Sequence, residues 1–381
     1  MTDTPPKPLQ VLHYLDAVRE EAGGVVRCVI DLCNVLAAQG CEVTLATYDA
    51  QDVPAAWGKE PNTPRVIDAG ADEALNQAYE TADVVHLHTP WDRRNTSAAK
   101  RAQAVRKPYI VSVHGMLDDW CMAHKGLKKR VYLWLAGRRM LEGAYRVHCT
   151  AEGEAQQAGK WYPRAQSVVL PLVVDMPDPE SLPGPELARE TFPALATDEA
   201  KLLFLSRLHP KKGVDLLLRA AKLLVDRGTS FQLFVAGPGE AAYIEQLKSL
   251  ASELGIADRT HFVGLVQGDT KLSLYQAADL FVLPTHQENF GLVLPESLVC
   301  GTPVVTTRGV DIWPEIEAAG STITDNQPEP LAETLAKLLS DRTALAARGE
   351  QGRQYIQQWL DSDRVAQGYI DLYREAAQSK P

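Results

Sequence analysis

The sequence predicts an α/β protein of two domains, each a parallel sheet covered by helices, facing one another across a central cleft. Three observations lead there. The chain has 381 residues, more than one hydrophobic core usually supports. Short apolar runs alternate with longer segments of helical spacing, the pattern of parallel strands joined by covering helices. A proline-rich, acidic stretch from Pro171 to Pro193, PLVVDMPDPESLPGPELARETFP, interrupts that rhythm, which then begins again.

The first domain is expected over residues 1–175. It opens with the apolar run LQVLHYL, a polar turn ending in Gly23-Gly24, the helical pattern VVRCVIDLCNVLAAQG, and the strand CEVTLAT. Three more strand-like runs, DVVHLH, YIVSVH and YRVHCT, complete a Rossmann-like domain. The second domain, residues 176–358, repeats the plan. KLLFLS leads to a helix from Gly213 to Arg227, then FQLFVAG, a helix near 240–254, THFVG, a short helix, DLFVLP and TPVVTT. From about residue 328 the chain reads as helices with a break near Gly349. Residues 359–381 form an amphipathic last helix, DSDRVAQGYIDLYREAAQ, capped by Asp361 or Ser362.

A composition of 45% hydrophobic and 23% charged residues suits a soluble packed fold and excludes disorder. No apolar stretch approaches the roughly 20 residues of a membrane-spanning helix, and the opening MTDTPPKPLQ lacks the apolar run of a secretory signal. A cytoplasmic location is therefore expected. Six cysteines without a CxxC pair fit buried thiols in a reducing compartment. The net charge of -10 argues against nucleic acid as a partner, and it is uneven: residues 1–175 carry about -1 and residues 176–381 about -9.

The densest chemical signal is THQENFGLVLPESLVCGTPVV, residues 285–305, which runs from a strand end through a loop into a helix. Ligands of open α/β sheets bind beyond the carboxyl ends of strands, so Glu288 on the loop and Glu296 in the helix can both face a bound molecule. One carboxylate can hold sugar hydroxyls, the other ribose hydroxyls. The helix start at Phe290, Gly291 and Leu292 offers N–H groups to a phosphate. A lone pair of glutamates would more often be two surface acids; the neighbouring signals change that weight.

The second signal is LFLSRLHPKKGVDLLL, where Arg207 and Lys212 flank another strand-to-helix turn. Two fixed cations can stabilise the charge that grows on a departing diphosphate, without a metal. Gly23 and Gly24, ahead of the first long helix, offer a weaker phosphate-binding turn, and the absence of GxGxxG lowers the case for an NAD enzyme. His114 follows a strand in YIVSVHGMLDDW, where it could hydrogen-bond a donor phosphate or sugar and make activity pH-sensitive near neutrality. His86 and His88 share one strand face, but with no third ligand near them in the sequence they read as cleft or core histidines rather than a zinc site. Asp361-Ser362-Asp363 reads as a helix cap rather than a metal motif.

The segments HG, SRLHPKKG, AGPGE and ENFGLVLPESLVCGTPVV together resemble the large GT4 family of retaining glycosyltransferases (glycosyltransferase group 1), whose fold is GT-B. The resemblance covers nearly the whole chain. It implies that Glu288 and Glu296 are the E-x7-E pair contacting donor sugar, with Asn289 beside them, and nucleotide ribose. It implies diphosphate contacts at Arg207 and Lys212, a glycine loop at Gly23 and Gly24, an active-site histidine at His114, and a nucleobase near Gly264, Leu265 and Val266. The last helix would cross back to the first domain. The implied chemistry is front-face transfer from a UDP- or GDP-sugar to an acceptor hydroxyl, with the leaving phosphate as base and neither metal nor cofactor. An envelope polysaccharide or glycolipid is the implied product. The alternatives are a nucleotide-sugar epimerase or phosphorylase of the same fold, or a non-catalytic nucleotide-sugar-binding protein.

KGLKKRVYLWLAGRR, residues 125–139, has six basic residues, no acid and five consecutive apolar or aromatic ones. It reads either as a peripheral contact with anionic lipid, where a lipid-linked acceptor would be presented, or as a solvated rim helix with its apolar face in the core.

Overall fold

The computed structural model describes residues 7–379 apart from 20, 22 and 125. The chain divides into two compact units: residues up to Asp175 together with those from Leu360 onward, and Met176–Trp359.

The first unit is a seven-stranded sheet whose paired strands all run parallel. Its strands are β1 (Gln10–Tyr14), β2 (Glu42–Thr47), β3 (Arg65–Asp68), β4 (Val84–His88), β5 (Tyr109–Ser112), β6 (Arg146–Cys149) and β7 (Ser167–Val169), in the order β3-β2-β1-β4-β5-β6-β7. The helix Gly24–Ala38 follows β1 because Val26, Val29, Leu32, Cys33 and Leu36 recur at helical spacing and are all buried. One face of the sheet packs Leu12, Val85, Leu87, Val111 and Val147. The other packs Val11, Val43, Val84 and Ile110 against Gly24–Ala38 and the last helix, Ser362–Gln378. That last helix buries Val365, Ala366, Tyr369, Ile370, Tyr373 and Ala376, and the Asp361 carboxylate caps it, accepting from the Arg364 N–H at 2.8 Å. The Asp361-Ser362-Asp363 motif is thus engaged as a cap, and Asp363 accepts from Gln39 Nε2 at 2.7 Å.

The second unit repeats the plan with six strands: β8 (Ala200–Leu205), β9 (Phe231–Ala236), β10 (Thr260–Gly264), β11 (Leu280–Leu283), β12 (Val304–Thr307) and β13 (Thr322–Thr324). Their order is β10-β9-β8-β11-β12-β13, with every pairing parallel. In both sheets the order reverses beside the first strand, between β1 and β4 and between β8 and β11, the switch point at which such sheets bind ligands.

The expected helix break at Gly349 is not there. Arg342–Trp359 is one continuous helix, and the breaks fall at Ser340-Asp341 and Leu360-Asp361. Gly349 is a packing residue: a Cβ on it would lie 1.9 Å from the Gly301 carbonyl oxygen, so the absence of a side chain lets the helix approach that turn. The six cysteines are all free, four of them buried. Among the described residues no helix is long and apolar enough to cross a membrane.

Candidate active site

In the second unit the switch point brings two loops together. Arg207 and Lys212 follow β8, and Glu288 follows β11, its neighbour in the sheet. Gly213 makes the approach feasible. Its φ is 71°, and a Cβ there would sit 2.1 Å from the Pro284 carbonyl oxygen. The Lys211 carbonyl then accepts from the His286 N–H at 2.8 Å and from Thr285 Oγ1 at 2.9 Å. These bonds carry the Lys212 ammonium into direct contact with the Glu288 carboxylate, with only 11% and 18% of the two side chains exposed. Burial, with repulsion from Lys211 and Arg207, pulls Lys212 down to about 7, and the touching Glu288 carboxylate opposes that fall by favouring the charged form. Glu288 is fixed by its backbone too: its N–H donates to the Gly309 carbonyl at 2.7 Å and its carbonyl accepts from the Asp311 N–H at 3.0 Å. Gly291, at φ 63°, leaves room for that carboxylate, since a Cβ there would lie 2.9 Å from Glu288 Cγ.

Glu296 lies in the helix Val293–Val299 and has a separate set of partners. Lys271 Nζ is 2.9 Å from its carboxylate, and the Tyr275 hydroxyl donates to it at 3.3 Å. Sequence reasoning missed both. The signal was present, because Lys271 and Tyr275 stand one turn apart on the helix Gly268–Ala277 and so share a face. Asn289 is half-buried beside Glu288, and Leu292 immediately precedes the helix. The Phe290 side chain is buried and stacks on Trp359 with ring centroids 5.6 Å apart, so its side chain serves packing. Arg207 is exposed and pairs with no carboxylate among the described residues. At the end of β10, Gly264 turns at φ 73° and its carbonyl accepts from the Gly237 N–H at 2.7 Å; Leu265 stands exposed and Val266 buried.

The remaining expected residues lie in the first unit. Gly23, at φ 89°, immediately precedes Gly24, the first residue of its helix. His114 follows β5 at φ 48°, ahead of Gly115 at φ 71°. Its Nε2 is 3.2 Å from His88 Nδ1, and His88 Nε2 is 3.0 Å from His13 Nδ1. On the same sheet face His86 bonds the Tyr373 hydroxyl and Ser112 Oγ, each at 2.7 Å, and Ser112 reaches His148 Nδ1 at 2.6 Å. His148 Nε2 meets the Tyr369 hydroxyl at 3.0 Å. Burial lowers all five imidazoles, His114 to about 3. His114 is therefore neutral throughout the physiological range, which corrects the expectation that it titrates near neutrality.

The fold also supplies what the sequence reading of His86 and His88 lacked, a third histidine, His13, with ring nitrogens of the three within 4.8 Å of one another. Both nitrogens of His86 and both of His88 are already hydrogen-bonded, so the group is a network in its present arrangement rather than a ligand set aimed at one point.

The basic segment is helical, from Gly126–Tyr132 through a π-turn at Leu133–Gly137 to Arg138–Glu142; its first residue, Lys125, lies outside the described residues. Leu133 and Met140 face the core. Leu127 is 80% exposed and Trp134 79%, with Val131 and Leu135 beside them in one stripe, so much of the segment's apolar surface is outside the core.

Comparison with known proteins agrees with this architecture. Residues 22–176 match the family described as Glycosyltransferase Family 4, and residues 189–355 match Glycosyl transferases group 1. The chain is 30% identical over 369 residues to D-inositol 3-phosphate glycosyltransferase 2 of Catenulispora acidiphila, covering 87% of this chain and 85% of that one. It is 31% identical over 242 residues to D-inositol 3-phosphate glycosyltransferase of Saccharomonospora viridis; that match spans 61% of this chain and only 56% of the relative. Its fold is similar to that of Anabaena Alr3699/HepE, solved in complex with UDP-glucose, with a TM-score of 0.73 at 17% identity over 96% of this chain and 99% of that one. The chain belongs to glycosyltransferase family 4 and has the GT-B fold of two Rossmann-like domains.

Proposed function

We propose that the chain is a retaining, metal-independent glycosyltransferase that moves a sugar from a nucleoside-diphosphate sugar to an acceptor hydroxyl in envelope polysaccharide or glycolipid synthesis. The observation that carries this reading is the Lys212–Glu288 contact at the switch point of the second sheet, with Glu296 held apart by Lys271 and Tyr275. One acid is kept beside the cation that faces a diphosphate, the other beside a second cation and a hydroxyl. That division suits a ligand with a sugar at one end and a ribose at the other.

In this reading Arg207, Lys212 and the amides at Gly291 and Leu292 stabilise the charge that develops on the diphosphate as the sugar–phosphate bond breaks. Glu288 and Asn289 hold the donor sugar, Glu296 the ribose, and Gly264 to Val266 the nucleobase. Gly23, Gly24 and His114 act from the first unit. His114, neutral, serves as a hydrogen-bonding group rather than a proton-transfer acid. The acceptor hydroxyl attacks on the face the diphosphate leaves, and a departing phosphate oxygen takes its proton. The UDP-glucose of the Anabaena structure supports a uridine donor. The relatives are named for D-inositol 3-phosphate, which supports a hydroxyl of a phosphorylated cyclitol as acceptor.

The exposed stripe Leu127, Val131, Trp134 and Leu135, set among Lys128, Arg130, Arg138 and Arg139, supports a peripheral contact with anionic lipid. A lipid-linked acceptor would be met there.

The test is incubation with UDP-, GDP- and ADP-sugars in EDTA, following nucleotide release and sugar epimerisation, with Glu288→Ala as control. Release from one donor that is lost in the variant supports the reading and names the donor. Epimerisation without acceptor, or release that needs a divalent ion, overturns it.

A further inference from the structure

His114 is the outer end of a chain of three imidazoles. His13 and His88 are buried, at 0% and 1% exposure, whereas His114 is partly exposed. Two ring-to-ring hydrogen bonds join them, His13 Nδ1 with His88 Nε2 at 3.0 Å and His88 Nδ1 with His114 Nε2 at 3.2 Å. At the inner end His13 Nε2 is buried and has no hydrogen-bond partner. At the outer end Nε2 makes the one hydrogen bond of the His114 ring among the described residues, which leaves Nδ1 for a bound molecule.

Counting protons leaves two states for this chain. Burial keeps all three rings neutral, so each carries a single N–H, and each ring-to-ring bond needs one N–H facing one lone pair. The central ring decides for its neighbours. With the His88 proton on Nδ1, His13 and His114 must also carry theirs on Nδ1, and His13 Nε2 is a bare lone pair. With the His88 proton on Nε2, every proton is on Nε2, and His13 holds a buried N–H that has no acceptor. A buried N–H without an acceptor is the rarer defect in folded proteins, which favours the first state. That state turns an N–H outward at His114.

The backbone that carries this ring is held separately. His114 at φ 48° and Gly115 at φ 71° make a left-handed turn, and the Gly115 N–H donates to the Glu154 carboxylate. Glu154 is 1% exposed and also accepts from the Thr150 N–H at 2.5 Å and from Thr150 Oγ1 at 2.9 Å. With the turn fixed, the choice of tautomer decides what the ring offers. An N–H attracts a phosphate oxygen, which only accepts, and a bare lone pair in the same place repels it.

We infer that His88, backed by His13, is a positioning residue for His114: the pair fixes the His114 proton on Nδ1, so that the ring donates an N–H to a phosphate oxygen of the bound sugar donor. The inference rests on the proposed transferase activity only in naming that oxygen.

The experiment is long-range proton–nitrogen NMR of the whole chain labelled with 15N-histidine, beside nucleotide-release kinetics, in wild type, His88→Leu and His88→Asn. Expected in the wild type are N–H-type signals at Nδ1 and lone-pair-type signals at Nε2 for His13, His88 and His114. His88→Leu takes the donor from His114 Nε2, so the His114 signals should move toward a mixture of tautomers and kcat/KM should fall about tenfold. His88→Asn can place an amide N–H where Nδ1 stood and should restore both the signals and most of the activity. An Nε2-protonated or mixed His114 in the wild type overturns the inference, and that spectrum decides the matter even if the variants do not fold. Unchanged His114 signals and kinetics in His88→Leu, or an Asn variant no better than Leu, overturn it as well. Failure of the transferase reading is seen elsewhere, as absence of Glu288-dependent nucleotide release.

Discussion

His88 Nδ1 stands 3.2 Å from His114 Nε2, which ties a residue at the end of β5 to the buried histidine face of the first sheet. Each of the two rings has a pKa pulled down by burial, so the bond joins two neutral imidazoles.

The first prediction concerns acid. A histidine whose folded pKa lies below its unfolded value contributes stability that is complete above about pH 6.5 and is lost as pH falls toward the folded pKa. His13, His114 and His148, at about 3, 3 and 4, all belong to this class, as do His86 and His88. Between pH 6.5 and 5 each should remove stability progressively as the unfolded chain takes up protons that the folded one does not. Urea titrations at pH 7, 6 and 5 should show a steep fall in the first unit's stability, shallower in His13→Asn. A flat profile would contradict the neutral network.

Lys212 and Glu288 should behave as one functional element. Glu288→Gln and Lys212→Met are each expected to lower nucleotide release by about a hundredfold or more. Because each leaves the other without its partner, the double variant should lose far less than the product of the two single losses. Multiplicative losses would mean that the contact has no part in turnover.

Gly213→Ala should cost on the order of 3 kcal/mol or more, because it combines a left-handed φ with a Cβ 2.1 Å from the Pro284 oxygen. Gly255 is the comparison. It has a similar φ of 68° but open space around it, so Gly255→Ala should cost only about 1–2 kcal/mol. Chemical denaturation of the two variants under the same conditions separates the clash from the backbone term.

Leu127→Ser with Trp134→Ser should leave stability within about 0.5 kcal/mol, since both side chains are largely exposed. The same pair should abolish co-sedimentation with vesicles containing anionic lipid. Wild-type binding should weaken as salt rises. Wild-type protein that stays in the supernatant at low salt removes the lipid contact from the proposal.

Strands and covering helices were legible because each apolar run is short and bounded by turn residues, and because the pattern restarts after the proline-rich stretch. Strand order was not legible, since parallel neighbours far apart in sequence leave no local mark. The same physics hid His13: it reaches His86 and His88 only through the β1–β4 register, in which His13 stands opposite His86. Lys271 and Tyr275 were missed because their meaning depends on a carboxylate some twenty residues away. Gly349 misled because a glycine inside a helical pattern usually signals a break, whereas here a carbonyl oxygen from another turn occupies the space of its side chain. Glu288 and Lys212, placed by turn chemistry at two strand ends, were recognisable individually; their mutual contact required the sheet.

The return of the Ser362–Gln378 helix to the first unit has a consequence for how the protein is made. Tyr369 and Tyr373, which close the histidine face, are synthesised after every residue of the second unit. Domains usually fold in the order in which they leave the ribosome. Here the second unit has all of its chain before the first has the helix that completes it. Until then the faces of His86 and His148 that the tyrosines cover stand open, and premature termination anywhere in the second unit deprives the first of its final helix as well.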